Sequence, residues 1–179
     1  MTQTSFLSAM SAAVASVNVV TTDGAMGRFG LTVSSMASVS ASPPMLLICI
    51  DRRSPLVRAI AGNRVFAVNA LGVRQAPVAD TFAGRPQSRE AYDFDVATWE
   101  RGGTGVPLLI GAAARFECLV ASTVEAGSHT IMIGEVMASD RHGVRALAYS
   151  RREYVRPVPL RPGAPLTRRE GRRHAVRAR

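Results

Sequence analysis

Residues 30–50 read GLTVSSMASVSASPPMLLICI, and this stretch decides the fold class of the chain. Residues 30–40 are mostly small or hydroxyl-bearing and poor in helix formers, which favours extended structure. Pro43-Pro44 then blocks any helix, and the apolar run at 45–50 predicts a buried strand. Two extended segments are therefore expected in succession, with no helix between them.

The sequence on either side of this stretch predicts three short helices. Apolar residues recur every four positions at 5–14, which indicates an amphipathic helix. A second helix is predicted to begin at Ser54-Pro55, with serine as the cap, and to end at Gly62. The third helix is predicted at 75–82, where apolar residues share one side.

The other patterned segments predict strands. Apolar and β-branched runs occupy residues 15–22, 64–71, 112–123, 129–138 and 144–150. The polar stretch at 84–105 predicts a long surface excursion. Because regular crossover helices do not separate the strands, a doubly wound parallel sheet is disfavoured. The expected fold class is mainly β, an antiparallel barrel with a few short helices.

The basic charge of the chain is concentrated at its C-terminal end. All 22 basic residues are arginine, and they face 13 acidic residues, for a net charge of +9. Residues 157–179 alternate Pro, Gly and Arg without apolar periodicity, so we expect one domain at 1–156 and a disordered basic tail after it. The tail lacks interleaved aromatic residues, and nucleic acid is therefore not expected as a partner.

Cysteine and hydropathy patterns predict a cytoplasmic protein without membrane contact. Cys49 and Cys118 both lie in apolar stretches, which predicts two buried free thiols in a reducing compartment. The start of a signal peptide carries basic residues, but no basic residue precedes Arg28. The longest uniformly apolar run, at 45–50, is too short to cross a bilayer.

The glycines of DGAMGRFG at 23–30 invite comparison with a dinucleotide-binding loop. Such a loop must open a helix, whereas the sequence after Gly30 is β-like. We therefore interpret Gly24, Gly27 and Gly30 as parts of a turn between two strands.

The hydroxyl-rich segment 32–40 is the strongest internal indication of a ligand site. Two interpretations remain open. The hydroxyls are either solvated groups on a sheet edge, or a shelf that binds the polar edge of a ring ligand together with nearby backbone N–H groups. The same duality holds at the following helix start, where Arg52, Arg53 and Ser54 form either a phosphate site or a solvated, capped turn.

Histidine chemistry is sparse in this sequence. His129 heads an apolar strand, a position where a packed structural residue is commoner than a functional one. No nucleophile motif or Ser-His-Asp order is present. The three histidines are too far apart in the sequence pattern to predict a metal cluster.

Five segments, in order, resemble the flavin reductase-like, FMN-binding split-barrel family, the short-chain flavin reductases of two-component monooxygenases. The segments are TTDGAMGRFGLTVSSMASVSASPPMLLICIDRRSP at 21–55, FAVNALGVRQAPVADTFAG at 66–84, GVPLLIGAAARFECLV at 105–120, GSHTIMIGEV at 127–136 and LAYSRREY at 147–154. The resemblance implies a homodimeric antiparallel split β-barrel that binds FMN or FAD and uses NADH or NADPH.

The resemblance also implies roles for individual residues. The isoalloxazine and ribityl groups would meet Thr32, Ser34, Ser35, Ser38, Val39 and Ser40. The flavin phosphate would meet Arg53 and Ser54, aided by Arg85. His129 falls on the nicotinamide side, although Ser128 replaces the commoner Asp before it. Tyr149 and Arg152 fall in the family's Tyr-x-x-Arg-x-Tyr ending, and Asn69 falls in a Val-Asn pair.

The activity that the resemblance implies is hydride transfer from NAD(P)H to flavin, with the reduced flavin supplied to a partner monooxygenase. Two alternatives remain open on the sequence. One is a flavin-bound reductase of another acceptor, such as a corrinoid. The other is a flavin-binding protein without turnover. The choices between FMN and FAD, and between NADH and NADPH, are also open.

Overall fold

The computed structural model describes residues 2–87 and 90–160. The helices are α1 Gln3–Ala12, α2 Pro55–Asn63 and α3 Ala76–Phe82, and a 3-10 turn covers Phe94–Val96. Residues 157–160 are exposed and have no regular secondary structure. The rest of the predicted disordered tail, 161–179, lies outside the described residues.

The strands succeed one another with short connections. They are β1 Ala15–Ser16, β2 Asn18–Thr22, β3 Phe29–Val33, β4 Met36–Ala41, β5 Pro44–Asp51, β6 Val65–Ala70, β7 Trp99–Arg101, β8 Pro107–Leu109, β9 Ala114–Ala126, β10 His129–Arg141, β11 Ala148–Ser150 and β12 Glu153–Val155. The prediction of a mainly β, antiparallel protein with a few short helices is confirmed.

A seven-stranded antiparallel sheet of order β3-β2-β6-β9-β10-β5-β4 forms the body of the fold. Its two edge strands, β3 and β4, are consecutive in the chain and are separated only by Ser34 and Ser35. One extended segment, 29–41, therefore pairs with β2 at its start and with β5 at its end. Strands β1, β11 and β12 form a small second sheet, and β7 and β8 form a hairpin.

Buried apolar side chains form two main clusters against the strands. The larger contains Ile48, Phe66 and Met132 from the seven-stranded sheet, together with Leu56 and Ile60 of α2. The smaller gathers around Phe82 of α3 and includes Leu71 and Leu109. Each large apolar side chain buried in this way contributes about 1.5–3 kcal/mol, so α2 and α3 are held on the sheet mainly by these contacts.

Helix α2 begins as predicted but ends differently. The Ser54 hydroxyl accepts a hydrogen bond from the Leu56 N–H (3.3 Å), and Pro55 is the first helical residue. The predicted end at Gly62 is wrong, because the helix continues to Asn63 and Arg64 adopts the left-handed conformation (φ 63°). A Cβ at Gly62 would lie 2.4 Å from Met26 Cγ, so this glycine makes room for a neighbouring side chain and does not end the helix.

Helix α1 forms slightly before the predicted segment, and none of its side chains is buried. Phe6 and Met10 are 46% and 54% exposed. The apolar periodicity therefore indicated a helix, but its apolar face is not covered by the described residues.

The prediction that 84–105 is a long polar surface excursion is incomplete. This region contains the 3-10 turn and β7, and the unpredicted β8 comes after it. Buried polar groups hold the β7–β8 hairpin on the sheet: the Asn69 side chain accepts from the Leu109 N–H (2.7 Å), and Arg115 forms ion pairs with Glu100 and Asp140. The hydrophobic pattern of a sequence does not predict polar contacts of this kind.

The segment 23–28 is a turn between β2 and β3, as the glycine pattern predicted, with Gly30 already inside β3. The Asp23 carboxylate accepts from the Gly24 N–H and pairs with Arg28. Because the turn leads into a strand and not into a helix, the rejection of a dinucleotide-binding loop is confirmed. Both cysteines are free, and Cys118 is buried while Cys49 is half-buried.

Gly134 in β10 provides a test of core packing. A Cβ at this position would lie 2.5 Å from Phe66 Cζ and 2.7 Å from Cys118 Cβ. Gly134→Ala is therefore expected to lower the free energy of unfolding by about 1–3 kcal/mol through overpacking. Urea unfolding measures the effect, and Gly143→Ala, with open space around its Cβ, is the matched control. Equal stability of the two variants would contradict the packing described.

Candidate active site

The hydroxyl-rich segment divides into groups that are already bonded and groups that are not. Thr32 donates to the Ala79 carbonyl (2.8 Å), and Ser35 donates to the Cys49 carbonyl (2.8 Å). The Ser40 hydroxyl accepts from the Ser42 N–H (3.1 Å). Ser34 and Ser38 are exposed, and within the described residues their hydroxyls have no partner.

Strand β4 also leaves backbone groups unpaired. It is an edge strand whose pairing partner among the described residues is β5, and its ladder shifts register between Ser38 and Ser40. Val39 is the extra residue of this bulge and is 45% exposed. Edge strands and bulges present free N–H and C=O groups, so this segment offers donors and acceptors to a ligand.

Four of the residues singled out in the sequence line one small cavity of about 170 Å³: Thr32, Ser34, Arg85 and Tyr149. Tyr154 completes its wall and donates to the Asp80 carboxylate (2.7 Å). Burial, reinforced by this hydrogen bond, raises the pKa of Tyr154, so its hydroxyl remains a donor at neutral pH. The C-terminal strands are thereby attached beside the hydroxyl-rich segment.

The start of α2 borders a larger cavity of about 720 Å³, which Arg53 and Ser54 help to line. The Arg53 guanidinium pairs with Asp51, with Nη2 2.8 Å and Nε 3.1 Å from the carboxylate oxygens. Hydrogen bonds from the Arg53 side chain and N–H hold the pKa of Asp51 well below its usual range. Arg53 is thus not a free cation, and sequence reasoning missed Asp51 as its partner.

His129 lies next to this region through strand pairing. It is opposite Asp51 in the β10–β5 register, and the Arg52 N–H donates to the Ser128 carbonyl (3.0 Å). The His129 ring is exposed, and its Nδ1 lies 2.9 Å from the Ser128 hydroxyl. The His129 side chain is therefore not packed into the core of the single chain.

The twelve residues that the family resemblance assigns to the flavin and nicotinamide do not all line one cavity. Ser38 and Ser40 line a separate cavity of about 190 Å³ beside Phe116 and Val136. Arg152 is exposed in the turn between β11 and β12, at φ 65°. The predicted residues thus line three separate cavities, of about 170, 190 and 720 Å³, near segment 34–41 and the start of α2.

Comparison with known proteins identifies the fold and its family. The family described as "Flavin reductase like domain" matches residues 10–157. The chain belongs to the flavin reductase-like family. A protein of Bradyrhizobium diazoefficiens named "FMN reductase (NADH) RutF" is 40% identical over 135 residues, covering 75% of this chain and 74% of that protein.

Two solved structures of flavin reductases are similar to this one. NADH:FAD oxidoreductase SgcE6 of Streptomyces globisporus C-1027, solved in complex with NAD and FAD fragments, has a TM-score of 0.79 at 31% identity and covers 88% of this chain and 93% of its own. BorF, the flavin reductase component of a bacterial two-component tryptophan halogenase, has a TM-score of 0.79 at 33% identity, covering 89% and 100%. The predicted family, an NAD(P)H:flavin oxidoreductase, and its flavin and nicotinamide cofactors are confirmed.

Sequence reasoning missed one side of this flavin reductase's large cavity. Arg28, Phe29, Tyr92 and Phe94 line it together with residues at the start of α2. Tyr92 and Phe94 come from the stretch interpreted as a polar excursion, where two aromatic residues close together were the available signal. No cluster of metal-binding side chains occurs among residues 2–87 and 90–160. In the same ranges, no helix is long and apolar enough to span a membrane.

The two classes of serine can be separated by mutation. Ser35→Ala removes the hydrogen bond to the Cys49 carbonyl and is expected to lower the free energy of unfolding by about 1 kcal/mol. Ser38→Ala, at an exposed position, is expected to leave that free energy unchanged. Denaturant unfolding of both variants checks this assignment, and a larger loss for Ser38→Ala would reverse it.

Proposed function

We propose that this flavin reductase transfers hydride from NADH to a flavin held across segment 34–40 and the start of α2. The observation that carries the proposal is the unpaired edge at Ser34 and Ser38–Ser40, one strand away from Arg53 and Ser54. Ser35 bonds to Cys49 and Ser38 lies opposite Leu46, so these two positions are about 7 and 17 Å from Asp51 along β5. Arg53 and Ser54 follow directly after Asp51, so the ring and the phosphate of one flavin are proposed to lie along this direction.

The residues present fit a flavin by their chemistry. Hydroxyls and free backbone N–H groups on the β4 edge suit the N and O atoms of an isoalloxazine ring and its ribityl chain. Arg53 and the N–H groups at the start of α2 suit a phosphate. Arg85, which follows α3, is proposed to aid the phosphate contact, and Tyr149 and Arg152 are proposed to border the same site from the C-terminal strands.

The protein's part in the reaction is to bind and orient. Hydride transfer is chemistry that nicotinamide and flavin supply when both are bound. Segment 34–40 would hold the flavin ring, and His129 is proposed to position the nicotinamide from the neighbouring strand. Such positioning accounts for a large share of the rate enhancement when an enzyme holds two reactants together.

We propose further that the sheet closes as a split barrel, because segment 29–41 runs from one edge of the sheet to the other. The domain would span 1–156, with 157–179 as a dispensable tail. The outer face of β5 and β10 carries the half-buried pairs Leu47–Ile133 and Cys49–Ile131, ending at Asp51 and His129. A second copy of the chain is proposed to cover this apolar face, as a homodimer beside the site.

The reduced flavin is proposed to serve a partner flavin-dependent monooxygenase in the cytoplasm. The likeness to the reductase component BorF of a two-component halogenase supports a partner of this kind. Two free thiols among the described residues are consistent with a reducing compartment.

The proposed activity is tested by steady-state oxidation of NADH and NADPH in the presence of FMN, FAD or riboflavin. NADH is expected to be oxidised when flavin is added. Oxidation of neither nucleotide with any flavin, although flavin binds, would leave a non-catalytic flavin-binding protein. Reduction of a corrinoid but not of free flavin would support the other alternative.

Arg53→Ala tests the phosphate site. Loss of a charge-assisted hydrogen bond that is made equally before and during the reaction should raise the KM for FMN about tenfold and leave kcat nearly unchanged. Riboflavin, which has no phosphate, serves as the matched control ligand and should respond little. Equal losses for FMN and riboflavin would reject the phosphate contact.

His129→Ala tests the nicotinamide side. Because the ring is exposed, thermal stability and flavin affinity should stay the same, while the rate of flavin reduction by NADH falls on the order of tenfold. Single-turnover reduction of bound flavin measures this rate, and Ser128→Ala, which removes the neighbour of Nδ1, shows whether ring orientation contributes. A normal rate with a lowered melting temperature would assign His129 a structural role.

A further inference from the structure

We propose that Asp51 is a positioning residue that links the flavin phosphate to the nicotinamide side of the site. This inference rests on the proposed function and adds a coupling between its two halves. A phosphate on Arg53 frees the Asp51 carboxylate, and the freed carboxylate orients the His129 ring. A flavin that carries a phosphate is therefore reduced faster than one that does not.

Arg53 engages both oxygens of the Asp51 carboxylate. One oxygen accepts from the Arg53 backbone N–H (2.9 Å) and Nε (3.1 Å), and the other accepts from Nη2 (2.8 Å). The Arg53 side chain is 90% exposed, and ion pairs at such positions are weak because water and salt screen both charges. A phosphate with two negative charges can therefore displace the carboxylate from the guanidinium group.

His129 is the neighbour that a freed Asp51 carboxylate can reach. The two residues are directly opposite each other in the β10–β5 ladder. Side chains at opposite positions lie on the same face of a sheet, with Cβ atoms about 5 Å apart. Hydrogen bonds from Arg53 are the largest cause of the low pKa of Asp51, and the charge of a protonated His129 lowers this pKa further.

The His129 ring is anchored at one point. Its Nδ1 lies 2.9 Å from the Ser128 hydroxyl, and within the described part of the chain its Nε2 has no partner. The side chain is exposed, so packing does not fix the ring. A carboxylate that accepts a hydrogen bond from the ring supplies a second fixed point, and rings held in this way keep one orientation.

The other carboxylate at this end of β10 is directed elsewhere. Glu125 of β9 is opposite Thr130, the residue after His129, so its side chain points to the other face of the sheet. Glu125 also pairs with Arg52 (3.3 Å). Asp51 is therefore the carboxylate that is placed to act on His129.

The test combines equilibrium flavin binding with single-turnover reduction of bound flavin by NADH. Asp51→Asn removes the competitor of the phosphate, so FMN should bind about threefold more tightly, while riboflavin binding stays the same. The same variant should reduce bound FMN about threefold more slowly, because His129 loses its second fixed point. A merely structural role of Asp51 would weaken binding and reduction together.

Comparison of two flavins and two further variants isolates the coupling. The wild type is expected to reduce bound FMN about threefold faster than bound riboflavin, and Asp51→Asn should abolish this difference. Asp51→Asn combined with His129→Ala should reduce FMN as slowly as His129→Ala alone, because Asp51 acts through the ring. Glu125→Gln, which removes a carboxylate on the other face, is the matched control and should change neither binding nor reduction.

Unchanged or weaker FMN binding in Asp51→Asn would overturn the inference, because the carboxylate would then not compete with the phosphate. Equal reduction rates of FMN and riboflavin in the wild type would also overturn it, as would additive losses in the double variant. Failure of the wild type to bind or reduce any flavin would reject the proposed function itself, and the inference with it.

Discussion

The passage of one extended segment between the two edges of the sheet is the constraint on which the rest of the structure depends. Segment 29–41 pairs with β2, turns at Ser34 and Ser35, and then pairs with β5. Ser35 secures this turn, since its hydroxyl donates to the Cys49 carbonyl and its own carbonyl accepts from the Cys49 N–H. The turn leaves Ser34 and the β4 edge exposed beside the residues that come after β5. The proposed ligand shelf and the proposed phosphate site would thus both follow from the same change of pairing partner.

Polar contacts of the β7–β8 hairpin help to shape the cavity of about 720 Å³ beside α2. Asn69 and Arg115 hold the β7–β8 hairpin on the sheet. Trp99, the first residue of β7, in turn holds Phe94 at the cavity wall. Buried polar groups that are fully bonded specify one arrangement more strictly than apolar packing does. The hairpin is therefore part of the support of the site, although none of its residues needs to touch a ligand.

The sequence predicted the elements whose signals are local. Ser54-Pro55 gave the correct start of α2, because capping and a proline at the first helical position are decided within a few residues. The end of α2 was not predictable in the same way. Gly62 makes room for the side chain of Met26, which is distant in sequence, and does not end the helix. Hydrophobic periodicity likewise could not reveal whether the apolar face of α1 is covered.

The same distinction between local and long-range signals applies to the site. The hydroxyls of 32–40 and the pair Arg53-Ser54 stood out as patterns, but which serines are already bonded depended on long-range partners such as Cys49. Tyr92 and Phe94 were missed because their importance arises from packing against Gly84 and Trp99, and no short motif records such contacts.

The ion pair between Asp51 and Arg53 bears on how long a flavin stays bound. At the proposed phosphate site, a phosphate that reaches Arg53 would compete with the Asp51 carboxylate, two residues away in the chain. When the phosphate leaves, the guanidinium group returns to that carboxylate, so departure strands no unpaired cation. An internal competitor of this kind weakens retention and shortens residence time. A short residence time would suit the proposed release of reduced flavin to a second enzyme in every cycle.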